Sequence, residues 1–231
     1  MGRDNAATVR KRAATESFAA ADVQSANEAI DAAGRFLFAA GSLSASRAFV
    51  GAIRIPENRL AIARSSLQDG DDSIVVGLNG RLQQYDRPSD LEDIAALAVA
   101  LFNARPDATV AILTQSPNLT AFAVAQQPLP IVYGSGLLKR TPVALPVTHW
   151  LPGQSVTSFE ATLRDQPLAS AALLANHGFI AWGAESIEKL ARFVISLEES
   201  ASITINARAL GGAKPLPAGA YEAMQLSGTS E

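Results

Sequence analysis

Histidine and cysteine are the side chains that most often bind transition metals, and this sequence has few of them. It contains two histidines, His149 and His177, and no cysteine. A catalytic zinc ion usually takes three protein ligands, drawn from His, Cys, Asp and Glu. Any such site here would depend on carboxylates, and thiolate zinc sites and cysteine nucleophiles are excluded. We predict that the protein holds no metal and no other cofactor.

His177 is the best placed acid–base group in the sequence. It lies in the segment 176–178 between two predicted strands, where an imidazole that titrates near neutral pH could move protons without a metal. The alternative is structural, with the ring donating to a backbone carbonyl. Tyr133 has similar alternatives, because a phenol can donate a proton but a buried tyrosine usually just finds a hydrogen-bond partner. We interpret His149 as a loop residue packed on Trp150.

The composition predicts an ordinary globular protein. Of its 231 residues, 48% are hydrophobic and 18% are charged, with a net charge of −3. The only basic block is at residues 10–12, so nucleic-acid binding has little electrostatic support. No apolar run approaches the roughly 18 residues of a membrane span, and the N-terminus lacks a signal-like apolar region. We therefore expect a cytoplasmic protein that binds neither nucleic acid nor membrane.

Hydrophobic periodicity predicts interleaved helices and strands, which indicates a sheet covered by helices on both faces. Predicted helices span residues 27–40, 90–104, 117–126, 156–163 and 185–210. Predicted strands span residues 48–54, 59–64, 73–78, 109–114, 171–175 and 179–181, and Asn79-Gly80 predicts a hairpin turn. Residues 131–148 are expected to be irregular and the chain after Pro215 to be loose. We divide the chain into a flexible arm (1–22), one domain (23–212) and a tail (213–231).

Three segments, in this order and spacing, resemble the class II aldolase/adducin family. They are residues 100–107 leading into a strand, residues 127–133, and residues 173–183 followed by Leu197-Glu198 and Ala201. The resemblance extends over about residues 24–212. It implies a three-layer α/β/α domain around a central mixed, largely antiparallel sheet. It also implies a homo-oligomer, with a tetramer favoured, and active sites between subunits.

Typical activities of that family are aldol cleavage of sugar phosphates, epimerisation, dehydration and decarboxylation with a bound divalent metal. The metal is held by a His-x-His pair at a strand end and a third histidine. By alignment the pair falls on Thr114 and Ser116, while His177 is retained. The family's acid–base carboxylate falls on Ile94, and Tyr133 is the other retained pocket residue. The sequence thus retains the segments that define the family's fold but lacks most of the residues that bind the metal and transfer protons.

Polar residues at the altered positions have two possible roles. Thr114, Ser116 and Asn176 could bind a substrate or simply close their strands. Arg47 and Arg64 fall in segments that correspond to the family's phosphate loops, where two guanidiniums could bind a small carboxylate or phosphate. The arginines could instead pair with Glu92-Asp93, which align with serines of the same pocket. In that case ion pairs would fill the old cavity.

Two hypotheses about function remain. The first is a metal-independent lyase, decarboxylase or isomerase that acts on a small oxygenated acid, with His177 or Tyr133 moving the proton. The second is a non-catalytic scaffold or regulatory oligomer, as for adducin, whose related domain resembles an aldolase without aldolase activity. In both, the divalent-metal site is lost and the protein is not a conventional sugar-phosphate aldolase.

Overall fold

The structure is a computed structural model that describes residues 22–65, 67, 72–85, 91–133, 137, 141, 144–150 and 155–226. The helices are α1 (22–39), α2 (Leu91–Ala104), α3 (Pro117–Ala125), α4 (Ser155–Asp165), α5 (Ile187–Ala207) and α6 (Ala220–Leu226), with a 3₁₀ turn at Arg208–Leu210. The strands are β1 (Phe49–Ile55), β2 (Arg59–Arg64), β3 (Ser73–Gly77), β4 (Leu82–Tyr85), β5 (Val110–Thr114), β6 (Leu129–Pro130), β7 (Ala144–Leu145), β8 (Val147–Thr148), β9 (Ala171–Leu174) and β10 (Gly178–Gly183).

A central sheet carries most of the strands, in the order β4-β3-β2-β1-β5-β10-β9-β8. Every neighbouring pair is antiparallel except β8 and β9, which are parallel. The predicted mixed, largely antiparallel sheet is therefore confirmed. The predicted hairpin at Asn79-Gly80 is also confirmed, since it joins β3 to β4.

The two faces of this sheet have separate hydrophobic cores. Along β5, Val110 and Ile112 pack with α1, α3 and α5, whereas Ala111 and Leu113 pack with α2 and α4. This alternation follows from the two-residue period of a strand. The predicted three-layer α/β/α arrangement is confirmed. In the described part of the chain, no helix is both long and apolar enough to cross a bilayer.

Two expectations for the second half of the chain are wrong. Residues 131–148, expected to be irregular, include β7 and β8, and β8 extends the central sheet by pairing with β9. The segment after Pro215, expected to be loose, packs Leu216 and Tyr221 against the core under α1, α3 and α5. Strands of two residues are too short to produce a period, and the tail is held by contacts distant in sequence. The proposed domain boundaries remain a prediction.

Candidate functional site

Three of the predicted site residues meet at one end of the central sheet. Val50 of β1 lies opposite Arg64, the last residue of β2. Thr114, the last residue of β5, lies between Phe49 of β1 and Phe179 of β10. His177 immediately precedes β10, so it lies at the same end. The order β2-β1-β5-β10 thus places Arg64, Thr114 and His177 at the same end of the sheet.

Gly178 allows the histidine turn to approach the end of β5. A Cβ atom at this position would lie 2.5 Å from the Thr114 carbonyl oxygen, with a φ angle of +157°. Asn176 adopts the left-handed region at φ 57°, and its backbone N–H donates to the carbonyl of Ala123 at 3.1 Å. The His177 amide closes the turn by donating to Leu174 O at 2.9 Å. Each residue of the Asn-His-Gly triplet thus contributes to the backbone of this turn: Asn176 through its left-handed φ, His177 through its turn-closing bond, and Gly178 through its lack of a side chain.

The imidazole of His177 stacks on the indole of Trp150. The ring centroids are 4.2 Å apart and the planes are inclined by 14°. Burial lowers the pKa of His177 below its ordinary value, because a charged ring is poorly solvated there. The structure does not pair Trp150 with His149 as expected, and His149 is exposed. Among the described residues, none accepts a hydrogen bond from the His177 ring, so the expected carbonyl contact is not found there.

The lowered pKa of His177 predicts a loss of stability below neutral pH. The unfolded chain binds the proton near the ordinary pKa of 6.5, and the folded chain binds it only at lower pH. The stabilising contribution of neutral His177 is therefore complete above about pH 6.5 and declines as the pH falls toward the folded-state pKa. The free energy of unfolding, measured with urea at pH 7.5 and at pH 5.5, should fall less between the two pH values for His177→Gln than for the native chain. His149→Gln, an exposed neighbour, should behave as the native chain does, and equal declines in all three would contradict the prediction.

Thr114 and Ser116 use their hydroxyl groups to hold the loop before β1. Thr114 Oγ1 donates to the carbonyl of Ala48 at 2.6 Å, and Ser116 Oγ donates to the carbonyl of Ser42 at 2.6 Å. Both residues are buried, with 1% and 0% of their surface exposed. These bonds support the strand-closing interpretation over substrate binding.

The side chains of β5 that point toward Ile94 are not those of Thr114 and Ser116. Ile94 packs against the core under α2, to which Leu113 also belongs. Strand alternation therefore directs Leu113, and Gln115 by continuation, to the Ile94 side, and a shift of one residue reverses the face. We correct the alignment accordingly: the metal-ligand pair of the family corresponds to Leu113 and Gln115.

The space around Ile94 is filled with hydrocarbon. A residual cavity of about 10 Å³ remains, enough for at most one water molecule. Its walls include Val50, Ile94, Leu113 and Ile180. Phe49 belongs to the core on the opposite face. The position of the family's acid–base carboxylate is thus an apolar packing site.

Arg47 and Arg64 do not form a common anion clamp. The guanidinium of Arg47 lies 4.8 Å from the ring centre of Phe38 on α1, and the residue adopts φ 53°. Arg64 follows the alternation of Leu60 and Ile62, whose side chains belong to the core under α2. The two side chains are consequently directed toward opposite faces of the sheet.

The remaining predicted residues lie on other elements. Glu92 and Asp93 are exposed in the first turn of α2, on the Arg64 side of the sheet. Tyr133 is 43% exposed and follows β6 of the small two-stranded sheet. Neither observation gives Tyr133 a partner at the His177 end, so its proposed role as proton donor has no geometric support.

Gln115 and the serines before β1 form a polar network that sequence reasoning missed. Ser46 Oγ donates to Gln115 Oε1 at 3.2 Å and lies 2.7 Å from Ser44 Oγ. The amide of Ser44 donates to the Gln115 carbonyl at 2.9 Å. The spacing of Ser42, Ser44 and Ser46 in the sequence was the available signal. The network joins the loop to β5 through neutral groups.

The residues at this sheet end do not fit a divalent metal. In the ranges that the structure describes, no group of three or more His, Cys, Asp or Glu side chains could hold an ion. Beside His177, Leu113 of β5 supplies a hydrocarbon side chain, and Gln115, which follows β5, supplies a neutral amide. The carboxylate position is Ile94.

Comparison with known proteins decides the family. A family model for the class II aldolase and adducin N-terminal domain matches residues 21–205. The chain belongs to the class II aldolase/adducin family. The resemblance inferred from the three segments is confirmed. No curated protein sequence matches this family member significantly.

Solved structures of class II aldolases share the fold. An L-fuculose 1-phosphate aldolase superposes with a TM-score of 0.75 at 19% identity, over 89% of this chain and 96% of that one. YgbL from Escherichia coli, a candidate aldolase/epimerase/decarboxylase, gives 0.70 at 21% identity, over 88% and 99%. The L-fuculose-1-phosphate aldolase of Thermus thermophilus gives 0.64 at 22% identity, over 82% and 98%. At these identities the similarity establishes the fold of this class II aldolase relative.

Proposed function

We propose that this chain is a class II aldolase-family protein that has lost the divalent-metal site and serves as a non-catalytic scaffold or regulatory homo-oligomer, with a tetramer favoured. One observation carries the proposal: the position of the acid–base carboxylate is Ile94, packed in hydrocarbon with a residual cavity of about 10 Å³. A carboxylate that exchanges protons with a substrate needs an accessible polar space. The gap beside Ile94 holds no more than one water molecule, so it cannot take the place of a carboxylate and its substrate contact.

The neighbouring polar groups support the same proposal. Thr114 and Ser116 use their hydroxyls in short bonds to backbone carbonyls, so these groups maintain the loop before β1. Trp150 covers one face of His177. The hydroxyls beside the realigned pair and one face of the retained histidine are therefore engaged in packing contacts. Light scattering coupled to gel filtration tests the proposed assembly.

Metal binding provides the decisive experiment on the lost site. The protein, purified without chelators and then dialysed against micromolar Zn²⁺ or Mn²⁺, should contain far less than one equivalent by elemental analysis. Its melting temperature should not rise with metal, because a ligand that binds only the folded state must stabilise it. His177→Ala is the matched variant, since it removes the histidine in the turn. Near-stoichiometric metal that disappears in His177→Ala would refute the loss of the site.

A metal-independent lyase, decarboxylase or isomerase is the second candidate, and the state of His177 favours it. Burial lowers the pKa of this partly buried imidazole, which favours the neutral form that a general base needs. The substrate would be a small oxygenated acid. A screen of hydroxy and keto acids should then detect turnover that His177→Ala abolishes and His149→Ala retains. Turnover unchanged in His177→Ala would exclude this role for the histidine.

A further inference from the structure

A larger cavity lies between the chain after β6 and the C-terminal segment. Its volume is about 420 Å³, and it shares no lining residue with the cavity at Ile94. One wall is formed by Pro130, Ile131 and Val132, and the other by residues 213, 215–219, 221 and 222. Ligand sites for small molecules typically have volumes of about 300–1,000 Å³. The cavity has the size of a site for a small organic molecule.

The walls of this cavity are held in place by contacts elsewhere in the protein. The hydroxyl of Tyr221 donates to the Thr141 carbonyl at 2.5 Å, which fixes the aromatic ring. Leu216 and Tyr221 also pack against the core under α1, α3 and α5. Pro215 and Pro217 restrict the backbone on either side of Leu216. The cavity is consequently preformed, so a ligand would not have to order it.

The chemistry of the lining selects for a positive charge on an apolar body. Most of the lining side chains are hydrocarbon, and the hydroxyl of Tyr221 is already engaged. Glu222 is the one charged lining residue, and it is exposed. Within the described ranges, no Lys or Arg side chain forms an ion pair with it. A carboxylate that lines a largely apolar cavity attracts an organic cation by charge, and an aromatic ring in the same lining adds an apolar surface that accepts cation–π contact.

We propose that the cavity lined by residues 130–132, 213, 215–219, 221 and 222 binds a small organic ammonium ion, whose apolar body contacts the proline-rich walls and whose charged group lies near the carboxylate of Glu222. This site is independent of the sheet-end site and of the function proposed for it. The same walls bind an anion of equal size more weakly, because the carboxylate of Glu222 repels it.

Calorimetric titration of the full chain with three probes of one shape tests the proposal. The probes are 2-phenylethylamine, which is protonated at pH 7, the neutral 2-phenylethanol and the anionic phenylacetate. We expect saturable binding of the amine, several-fold tighter than of the alcohol, and weakest binding of the acid. An exposed charge pair contributes about 0.2–1 kcal/mol, which corresponds to roughly a 1.4- to 5-fold change in affinity.

Variants at two exposed glutamates assign the binding to this cavity. Glu222→Gln should weaken amine binding to the level of the alcohol and leave alcohol binding unchanged. Glu199→Gln, an exposed position on α5 outside the lining, should bind all three probes as the native chain does. The proposal is overturned if the amine does not bind saturably, if amine and acid bind equally, or if Glu222→Gln leaves the amine affinity unchanged.

Discussion

Gly178→Ala is expected to destabilise the folded protein by about 3 kcal/mol, through a clash and a strained backbone together. The added Cβ would lie 2.5 Å from the carbonyl oxygen of Thr114, which belongs to the neighbouring strand and cannot rotate away. The φ angle of +157° adds to the cost, because L side chains rarely adopt it. The urea midpoint should fall accordingly, and the fluorescence of Trp150 should change, since its partner His177 is displaced.

Gly80→Ala is the matched control for this substitution. Gly80 also has a positive φ, +79°, but a Cβ there would meet no atom within 4 Å. Its cost should be about 1 kcal/mol, from the backbone alone. Equal losses for the two variants would show that the close approach of β10 to β5 is not what Gly178 provides.

The strands and helices that position the His177 turn were predictable, because each is marked by a sequence pattern within a few residues. The strand ending at Arg64, the turn at Asn79-Gly80 and the helix containing Ile94 each have a period or a turn motif within a few residues. Alternation and helical spacing report directly which residues face a core. For the same reason, helical spacing alone places Ile94 in phase with Leu97 and Leu101, and all three pack in the core under α2.

The site itself was less predictable, because it depends on which face a residue occupies and on contacts distant in sequence. Assigning the metal-ligand pair to Thr114 and Ser116 instead of Leu113 and Gln115 was an error of one residue, but in a strand one residue changes the face. The stacking of Trp150 on His177 joins residues separated by a helix and a strand. No local pattern encodes that contact, and the adjacent His149 was the natural but wrong partner for Trp150.

Glu198→Ala is the second substitution with a large expected effect, again about 3 kcal/mol. Glu198 lies on α5 and is 6% exposed, and its carboxylate accepts three hydrogen bonds from the first turn of α3. The donors are the amide and the side-chain nitrogen of Asn118, both at 2.8 Å, and the amide of Leu119 at 3.0 Å. Removal of the carboxylate leaves these donors without an acceptor and also removes a negative charge from a helix N-terminus.

The carboxylate takes this role because the usual capping residue is engaged elsewhere. Ser116 occupies the N-cap of α3 but makes no capping bond through its side chain, since its hydroxyl donates to the Ser42 carbonyl. Serine at an N-cap normally accepts a bond from the helix amides. Here Ser116 holds the loop before β1 and Glu198 caps the helix. The packing of the sheet end therefore depends on a residue of α5.

Urea unfolding and hydrogen exchange separate this capping role from a general effect of mutation. Glu198→Gln should lose about half as much stability as Glu198→Ala, since its amide keeps one acceptor oxygen but turns an NH₂ group toward donors. Glu199→Ala, the exposed neighbour, should cost less than about 0.5 kcal/mol. The amides of Asn118 and Leu119 should exchange faster in Glu198→Ala than in Glu199→Ala. Unchanged exchange at these two amides would mean that α3 is held at its first turn by the loop from Ser42 and not by α5.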